Sequence, residues 1–309
     1  MITPEISVVI PAYNEGRNLA ELVNKLSARL RVISSSHEII VVNDGSRDDT
    51  LEVAELLALS YPEVRPLHLS RNFGKESALA AGMDVAQGRA VLFIDADLQH
   101  PPELIEEMIH SWRAGAQVVN AIKRSRGQES IVYKLCSSLF NWAMTAAVTT
   151  EMAGSSDYKL LDRCVVQALQ ECPERVRFFR GLVAWVGFTQ AQIEFDVEKR
   201  HAGMTSWPIR HLISYTLQNL LAFSSAPLYW VAFLGAGMSI LSCILLAQTL
   251  YNYLMGLATP GFTTVISLQI ILSGMILCAL GVIAVYIAMI YKEVKRRPVY
   301  VIKNRKSQL

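Results

Sequence analysis

The run Ala90-Val-Leu-Phe-Ile-Asp95-Ala-Asp97-Leu-Gln99 decides how this chain folds and where its chemistry lies. Ala90 to Ile94 is a short apolar run of the kind that forms a strand buried on both faces. It delivers two carboxylates, Asp95 and Asp97, at its carboxyl end. Four comparable runs occur elsewhere: Ile6–Ile10 before Pro11, Ile39–Val42 before Asn43-Asp-Gly-Ser46, Val64–Leu69 before Ser70-Arg-Asn-Phe-Gly-Lys75, and Gln117–Ala121. Segments of helical spacing separate them. Leu19, Leu22, Val23, Leu26 and Leu30 mark a helix over Asn18–Val32. Asp48, Asp49 and Thr50 are suited to cap a second. A third spans Glu76 to Ala86, and Pro101-Pro102 opens a fourth. Strands alternating with helices predict an α/β fold with a doubly wound, mostly parallel sheet.

In such sheets ligands bind beyond the carboxyl ends of the strands. Three polar clusters fall there: Pro11-Ala-Tyr13-Asn-Glu15, Asn43-Asp44-Gly-Ser46 and Asp95-Ala96-Asp97-Leu-Gln99. No GxGxxG or GxxxxGK[ST] follows the first strand, which disfavours a dinucleotide oxidoreductase and a P-loop NTPase. Strand-end carboxylates take the place of a glycine cradle. An isolated pair of that kind is commonly turn chemistry. With Asp44 and Glu15 on the same edge and Gln99 nearby, the pair reads instead as a holder of a hard divalent cation that neutralises phosphates.

The last third has a different character. The 309-residue chain is 52% hydrophobic with mean hydropathy +0.29, and the excess lies almost wholly after residue 200. Between Arg210 and Lys292 there is no Asp, Glu, Lys or Arg. Leu228–Met255 and Val265–Ile290 are each long enough to cross a bilayer, which needs about 20 apolar residues. Tyr229 and Trp230, Tyr251 and Tyr253, and Tyr291 sit where interfacial aromatics belong, and Pro260-Gly261 marks a turn between the spans. The basic residues from Lys292 to Lys306 place the following tail in the cytoplasm. No signal-peptide pattern is seen at Met1–Glu5, so the first domain is expected on that same side. Pro208–Phe223 carries Ile209, Leu212, Ile213, Thr216, Leu217, Leu220 and Leu221 on one face, an amphipathic helix suited to the interface. The expected domains are therefore 1–205, catalytic; 206–226, interfacial helix; 227–291, two transmembrane helices; and 292–309, a basic tail. A net charge of +2 gives no reason to expect nucleic acid. Five cysteines without a CxxC pair read as reduced thiols.

Ser7–Glu15, Val42–Ser46, Arg71-Asn-Phe-Gly-Lys-Glu76 and Asp95–Pro102 together resemble family 2 glycosyltransferases of GT-A fold. More narrowly, the whole chain resembles the polyprenyl-phosphate glycosyltransferases, including Lys295–Tyr300 after the second span. The resemblance implies inverting transfer of one sugar from a nucleotide sugar to polyprenyl (undecaprenyl) phosphate. It implies that Pro11, Tyr13 and Glu15 line the nucleoside pocket and that Asp44 bonds the base. Lys75 and Ala96 belong to the same nucleotide-sugar site, and Asp95, Asp97 and Gln99 hold Mg²⁺ or Mn²⁺. Asp157, in Gly154–Arg163, is to lie near the sugar and is grouped with Asp95 and Asp97 as catalytic. Arg200, in Arg200-His-Ala-Gly203, is to reach a phosphate, and Lys123, Arg124 and Lys134 are candidate contacts of the acceptor phosphate. Asn43 departs from the Asp common in the wider family. Thr205-Ser-Trp207 lacks a frequent Lys, which puts a lysine–phosphate contact there in doubt.

The implied partners are the bilayer, polyprenyl phosphate, a nucleotide sugar and a second copy of the chain in a homo-oligomer; the implied location is the bacterial inner membrane, multi-pass, with a cytoplasmic catalytic domain. The glucosyl-like Arg71–Glu76 stretch favours UDP-glucose over mannose- or aminoarabinose-type donors. Two other readings compete. A processive synthase would carry Gln-x-x-Arg-Trp and more spans, and a non-catalytic nucleotide-sugar-binding subunit should have lost its carboxylates. A channel is disfavoured because neither span carries an ionisable residue.

Overall fold

The computed structural model describes residues 3–34, 36–123, 155–172, 174, 178–195, 226–256 and 261–303. The chain divides into two compact units, Met1–Leu212 with Pro298–Leu309, and Ile213–Arg297. In the first, strands β1 (Ile6–Ala12), β2 (His37–Asn43), β3 (Val64–His68) and β4 (Ala90–Phe93) are mutually parallel. β6 (Ser155–Asp162) runs antiparallel between β4 and β5 (Val118–Lys123), and β7 (Gln190–Phe195) pairs parallel with β5. The order of this seven-stranded sheet is β3-β2-β1-β4-β6-β5-β7. All five apolar runs singled out in the sequence are strands of it.

β6 and β7 are the elements that the hydrophobic runs did not announce. Ser155-Ser-Asp-Tyr-Lys-Leu-Leu-Asp162 places Asp157 and Lys159 in the middle of a sheet, both buried. A central strand with charge on one face has no continuous apolar run to find. Its polar groups are instead paired: Lys159 donates to Asn120 Oδ1 of β5, whose amide donates to Gln190 Oε1 of β7 at 2.8 Å.

One sheet face carries the main core, where Val8, Ile10 and Leu92 meet Leu22 and Leu26 of α1 (Gly16–Ile33) and Met108 and Ile109 of α4 (Leu104–Arg113). α2 (Thr50–Ser60) packs along α1. Asp48, the residue before its N-cap Asp49, accepts from Thr50 N at 3.1 Å and from Gly16 N at 3.3 Å and so ties the starts of two helices together. α3 (Lys75–Val85) lies on the opposite face against β1 and β2. It sits very close, because a Cβ on Gly82 would fall 2.3 Å from Val9 Cγ1. α5 (Arg163–Glu171) and α6 (Phe179–Trp185) complete that side.

β3 is an edge strand, and residues from beyond the apolar helices cover it. Ser70 N donates to Val301 O and Lys303 N to His68 O, each at 2.8 Å, with Leu69 and Ile302 in an antiparallel bridge. Tyr300 OH adds a 2.8 Å bond to Asp84 Oδ2 of α3. The exposed row of backbone donors and acceptors that an edge presents is thereby shortened.

The second unit contains α7 (Ala226–Leu254) and α8 (Phe262–Val294). Leu228–Leu254 and Leu268–Val294 have mean hydropathies of 2.1 and 2.6 and are long and apolar enough to cross a membrane. Phe233, Leu246, Ile276 and Leu277 are exposed rather than packed into a protein core. The amphipathic helix expected at Pro208–Phe223 lies outside the described residues.

Proline at position 303 has no N–H to give His68. Lys303→Pro should cost about 1 kcal/mol and lower the Tm of the first unit by about 2–4 °C. Hydrogen exchange at the Ser70 amide should speed up; unchanged exchange there would mean the pairing is absent in solution.

Candidate active site

β4 and β6 together build the centre. Their register pairs Phe93 with Lys159, so two residues further along Asp95 stands beside Asp157. Lys75, the first residue of α3, reaches across the gap. Its Nζ lies 2.6 Å from Asp95 Oδ1 and 2.6 Å from Asp157 Oδ2. Arg180 approaches Asp157 from α6, Nε donating to Oδ1 at 2.5 Å and Nη2 to Oδ2 at 2.9 Å. Burial alone would raise the Asp157 pKa, but Lys75 and Arg180 outweigh it and hold the carboxyl well below its usual range. For Lys75, burial is likewise overridden by Asp95 and Asp157, and the ammonium is held protonated beyond the ordinary lysine range.

The loop before Lys75 is fixed by Asp44. This carboxylate is 3% exposed and accepts from Phe73 N at 2.7 Å and Gly74 N at 2.9 Å. Its pKa is raised by burial, which outweighs those two bonds. Next to it Gly45 adopts φ +64°, and a Cβ there would lie 2.4 Å from the Arg71 carbonyl carbon. Only glycine allows both the left-handed turn and that approach. Asp44 thus carries the Lys75 loop in this structure. Glu76 secures the other side, its Oε2 accepting from Phe179 N at 2.8 Å, while the Phe93 and Phe179 rings pack at a tilt of 55° with their centroids 4.7 Å apart. Burial, aided by Asp157, pushes the Glu76 pKa up to about 7.

The other expected residues line the same edge. Pro11 is the penultimate residue of β1, and Tyr13 is exposed just beyond the strand. Glu15 accepts from Asn18 Nδ2 at 2.7 Å at the start of α1. Ala96 is buried, and Asp97 Oδ1 accepts from Gln99 N at 3.1 Å. Asn14 and Leu98 both adopt positive φ, +56° and +60°. For a buried leucine that is a strained backbone, here inside the turn that carries Asp97. Lys123 ends β5; Arg124, Lys134 and Arg200 fall outside the described residues.

Asp95 and Asp97 offer hard oxygen donors, yet among the described residues no three His, Cys, Asp or Glu side chains converge on a metal position. Two carboxylates with the remainder of the shell left to substrate phosphates and water fit Mg²⁺ or Mn²⁺, which are often held that way. Arg180, Glu76, Lys159 and Asn120 were not picked out for this site from the sequence. Arg180 follows Arg177-Phe-Phe with no motif around it, and only the fold sets it against Asp157.

The glycosyl transferase family 2 profile matches residues 7–169, a span that holds Asp95, Asp97 and Asp157. The chain belongs to glycosyl transferase family 2. It is 40% identical to a glycosyltransferase of Synechocystis sp. over 98% of this chain and 96% of the relative. Identity to the bactoprenol glucosyl transferase of Shigella phage SfV is 33%, over 98% and 100% of the two chains. The crystal structure of glucosyl-3-phosphoglycerate synthase from Mycobacterium tuberculosis with Mn²⁺ and UDP-glucose superposes with a TM-score of 0.48 at 22% identity, covering 72% of this chain and 80% of that one.

Glu76 has a consequence for stability. Its ordinary pKa is 4.5 and its folded value about 7. Between those limits the folded protein keeps a proton that the unfolded chain has lost, so stability falls as pH rises through the window. Glu76→Gln should remove that part of the decline. In thermal melts its Tm advantage over the unaltered protein should grow from pH 5 to pH 7.5; parallel curves would assign the decline to other groups.

Proposed function

We propose that the protein transfers a single sugar, with inversion, from a nucleotide sugar to the phosphate of a polyprenyl lipid, and that the donor is UDP-glucose. The observation that carries this reading is the state of Asp157. Both its oxygens are engaged by cations, so the best-placed carboxylate beside Asp95 is not available to deprotonate a sugar hydroxyl. A phosphate monoester needs no such help, because it carries a charge of about −1.5 to −2 near neutral pH. The relative named bactoprenol glucosyl transferase and the two helices of membrane-spanning length support the same acceptor.

An acceptor phosphate oxygen forms a bond to the anomeric carbon as the bond from that carbon to the donor diphosphate breaks, its electron pair leaving with the diphosphate. Rate comes from alignment and from neutralising the leaving group. Asp95 and Asp97 would hold the divalent cation, which supplies that neutralisation when bound. Lys75 keeps Asp95 and Asp157 in fixed separation, and Asp44 keeps Lys75 in place. Pro11, Tyr13, Glu15, Asp44, Lys75 and Ala96 would border the nucleotide sugar, and Gln99 would join Asp95 and Asp97 in holding the cation. Lys123, Arg124, Lys134 and Arg200 would supply positive charge towards the lipid phosphate.

The direct assay incubates the detergent-solubilised protein with radiolabelled nucleotide sugars and undecaprenyl phosphate and counts the organic phase. UDP-glucose should label the lipid, and excess chelator or Asp95→Asn should lower the rate roughly a hundredfold or more. Labelling that survives the chelator would rule out the metal, and labelling from a different nucleotide sugar would replace glucose as the donor.

Placement in the membrane follows the same reading. With both apolar helices inserted, the catalytic unit would lie in the cytoplasm of a bacterium and the turn after Met255 outside. A cysteine at Gly256 should react with an impermeant maleimide added to whole cells, whereas one at Lys303 should react only after lysis. The reverse pattern would overturn the assignment.

A further inference from the structure

Around Asp157 the site presents cations rather than carboxylate. The Asp157 side chain is 9% exposed, whereas those of Lys75 and Arg180 are 41% and 39% exposed. Along the edge the charges alternate as Asp95, Lys75, Asp157, Arg180. Arg180 is the member farthest along that series from the strand-end pair proposed for the donor. It is also well fixed. Glu76 bonds the backbone of Phe179, so the pair Lys75-Glu76 at the head of α3 is fastened to the pair Phe179-Arg180 at the head of α6. A guanidinium presents its N–H donors in a planar fork suited to phosphate oxygens, and Nε and Nη2 of this one are held in place by Asp157.

We infer that Arg180 contacts the phosphate of the acceptor, and that Asp157 is a positioning residue that holds Arg180 and Lys75 in place rather than the base of the reaction. The inference rests on the phosphate-acceptor reading and deepens it. A base would need an oxygen turned towards the nucleophile, whereas Asp157 Oδ1 is bonded to Arg180 and Oδ2 to both Arg180 and Lys75. A side chain bonded in that way aligns its partners. Charge-assisted bonds between a guanidinium and a phosphate are among the strongest polar contacts, and they orient the anion as well as attract it. The same chemistry could serve the diphosphate of the donor, so the test separates the two phosphates.

Full-length protein in detergent is titrated by calorimetry with geranyl monophosphate, a soluble phosphomonoester, and separately with UDP-glucose plus Mn²⁺. Arg180→Gln should weaken geranyl monophosphate by about tenfold or more and leave the nucleotide sugar within about twofold. Arg180→Lys keeps the charge but loses the fork, and it should show the same selective weakening to a smaller degree. This milder variant decides the matter if Arg180→Gln fails to fold. In transfer assays Asp157→Asn should raise the KM for undecaprenyl phosphate by a larger factor than it lowers kcat, with the shape of the kcat pH profile kept. Equal binding of geranyl monophosphate by the Arg180 variants and the unaltered protein would overturn the role of Arg180. So would a loss confined to the nucleotide sugar. Loss of the acidic limb of the kcat profile in Asp157→Asn, at unchanged acceptor KM, would make Asp157 the base. Should the unaltered protein fail to glycosylate undecaprenyl phosphate yet bind geranyl monophosphate through Arg180, the functional reading fails and the phosphate seat stands.

Discussion

An ammonium group between two carboxylates organises the catalytic unit. Asp95 and Asp157 come from neighbouring antiparallel strands whose register brings them side by side, and like charges at that spacing repel. Lys75 resolves the conflict from a third element, and Arg180 from a fourth. Much of the surrounding architecture serves those two cations. Gly82 lets α3 approach β1, Asp44 ties down the loop that begins α3, and Glu76 joins α3 to α6. The arrangement costs desolvation, which the network offsets only as a whole. Removing Lys75 or Arg180 would leave the buried Asp157 carboxylate with less compensation.

What could be read from the sequence divides along physical lines. The five apolar runs were visible because a strand covered on both faces must be apolar throughout. The acidic pair Asp95 and Asp97 was visible because it sits where such a strand ends. β6 was invisible as a strand because one of its two buried faces carries Asp157 and Lys159, whose charges are met by residues far off in the chain, Asn120 and Arg180 among them. Asp157 was noticed by resemblance, and nothing in its local sequence shows that two cations occupy it. Arg180 carried no signal at all. A lone arginine after two phenylalanines becomes informative only once α6 is laid against the head of α3. The Asp48 bond to the start of α2 was legible in kind, although its second bond, to Gly16, depends on how α1 meets α2.

The two units follow opposite rules of burial. In the catalytic unit, charged side chains such as Lys159 and Asp157 are taken inside and paired. In α7 and α8 the apolar side chains remain outside, and Asp, Glu, Lys and Arg are missing over the whole stretch from His211 to Tyr291. A helix that is hydrophobic on every side is suited to an apolar surrounding such as a bilayer core.

The pairing of Val301–Lys303 with β3 bears on how the molecule is made. β3 is synthesised early, but the residues that cover its edge follow both apolar helices. At about 5–20 residues per second the delay is on the order of ten seconds or more. For that time the nascent domain carries an open edge, a template for pairing with other chains. The last backbone bonds of the sheet can form only after α7 and α8 have left the ribosome. Maturation of the catalytic unit is therefore timed by the emergence of the helices that follow it, and a chain stalled between them would present a sheet still lacking its border.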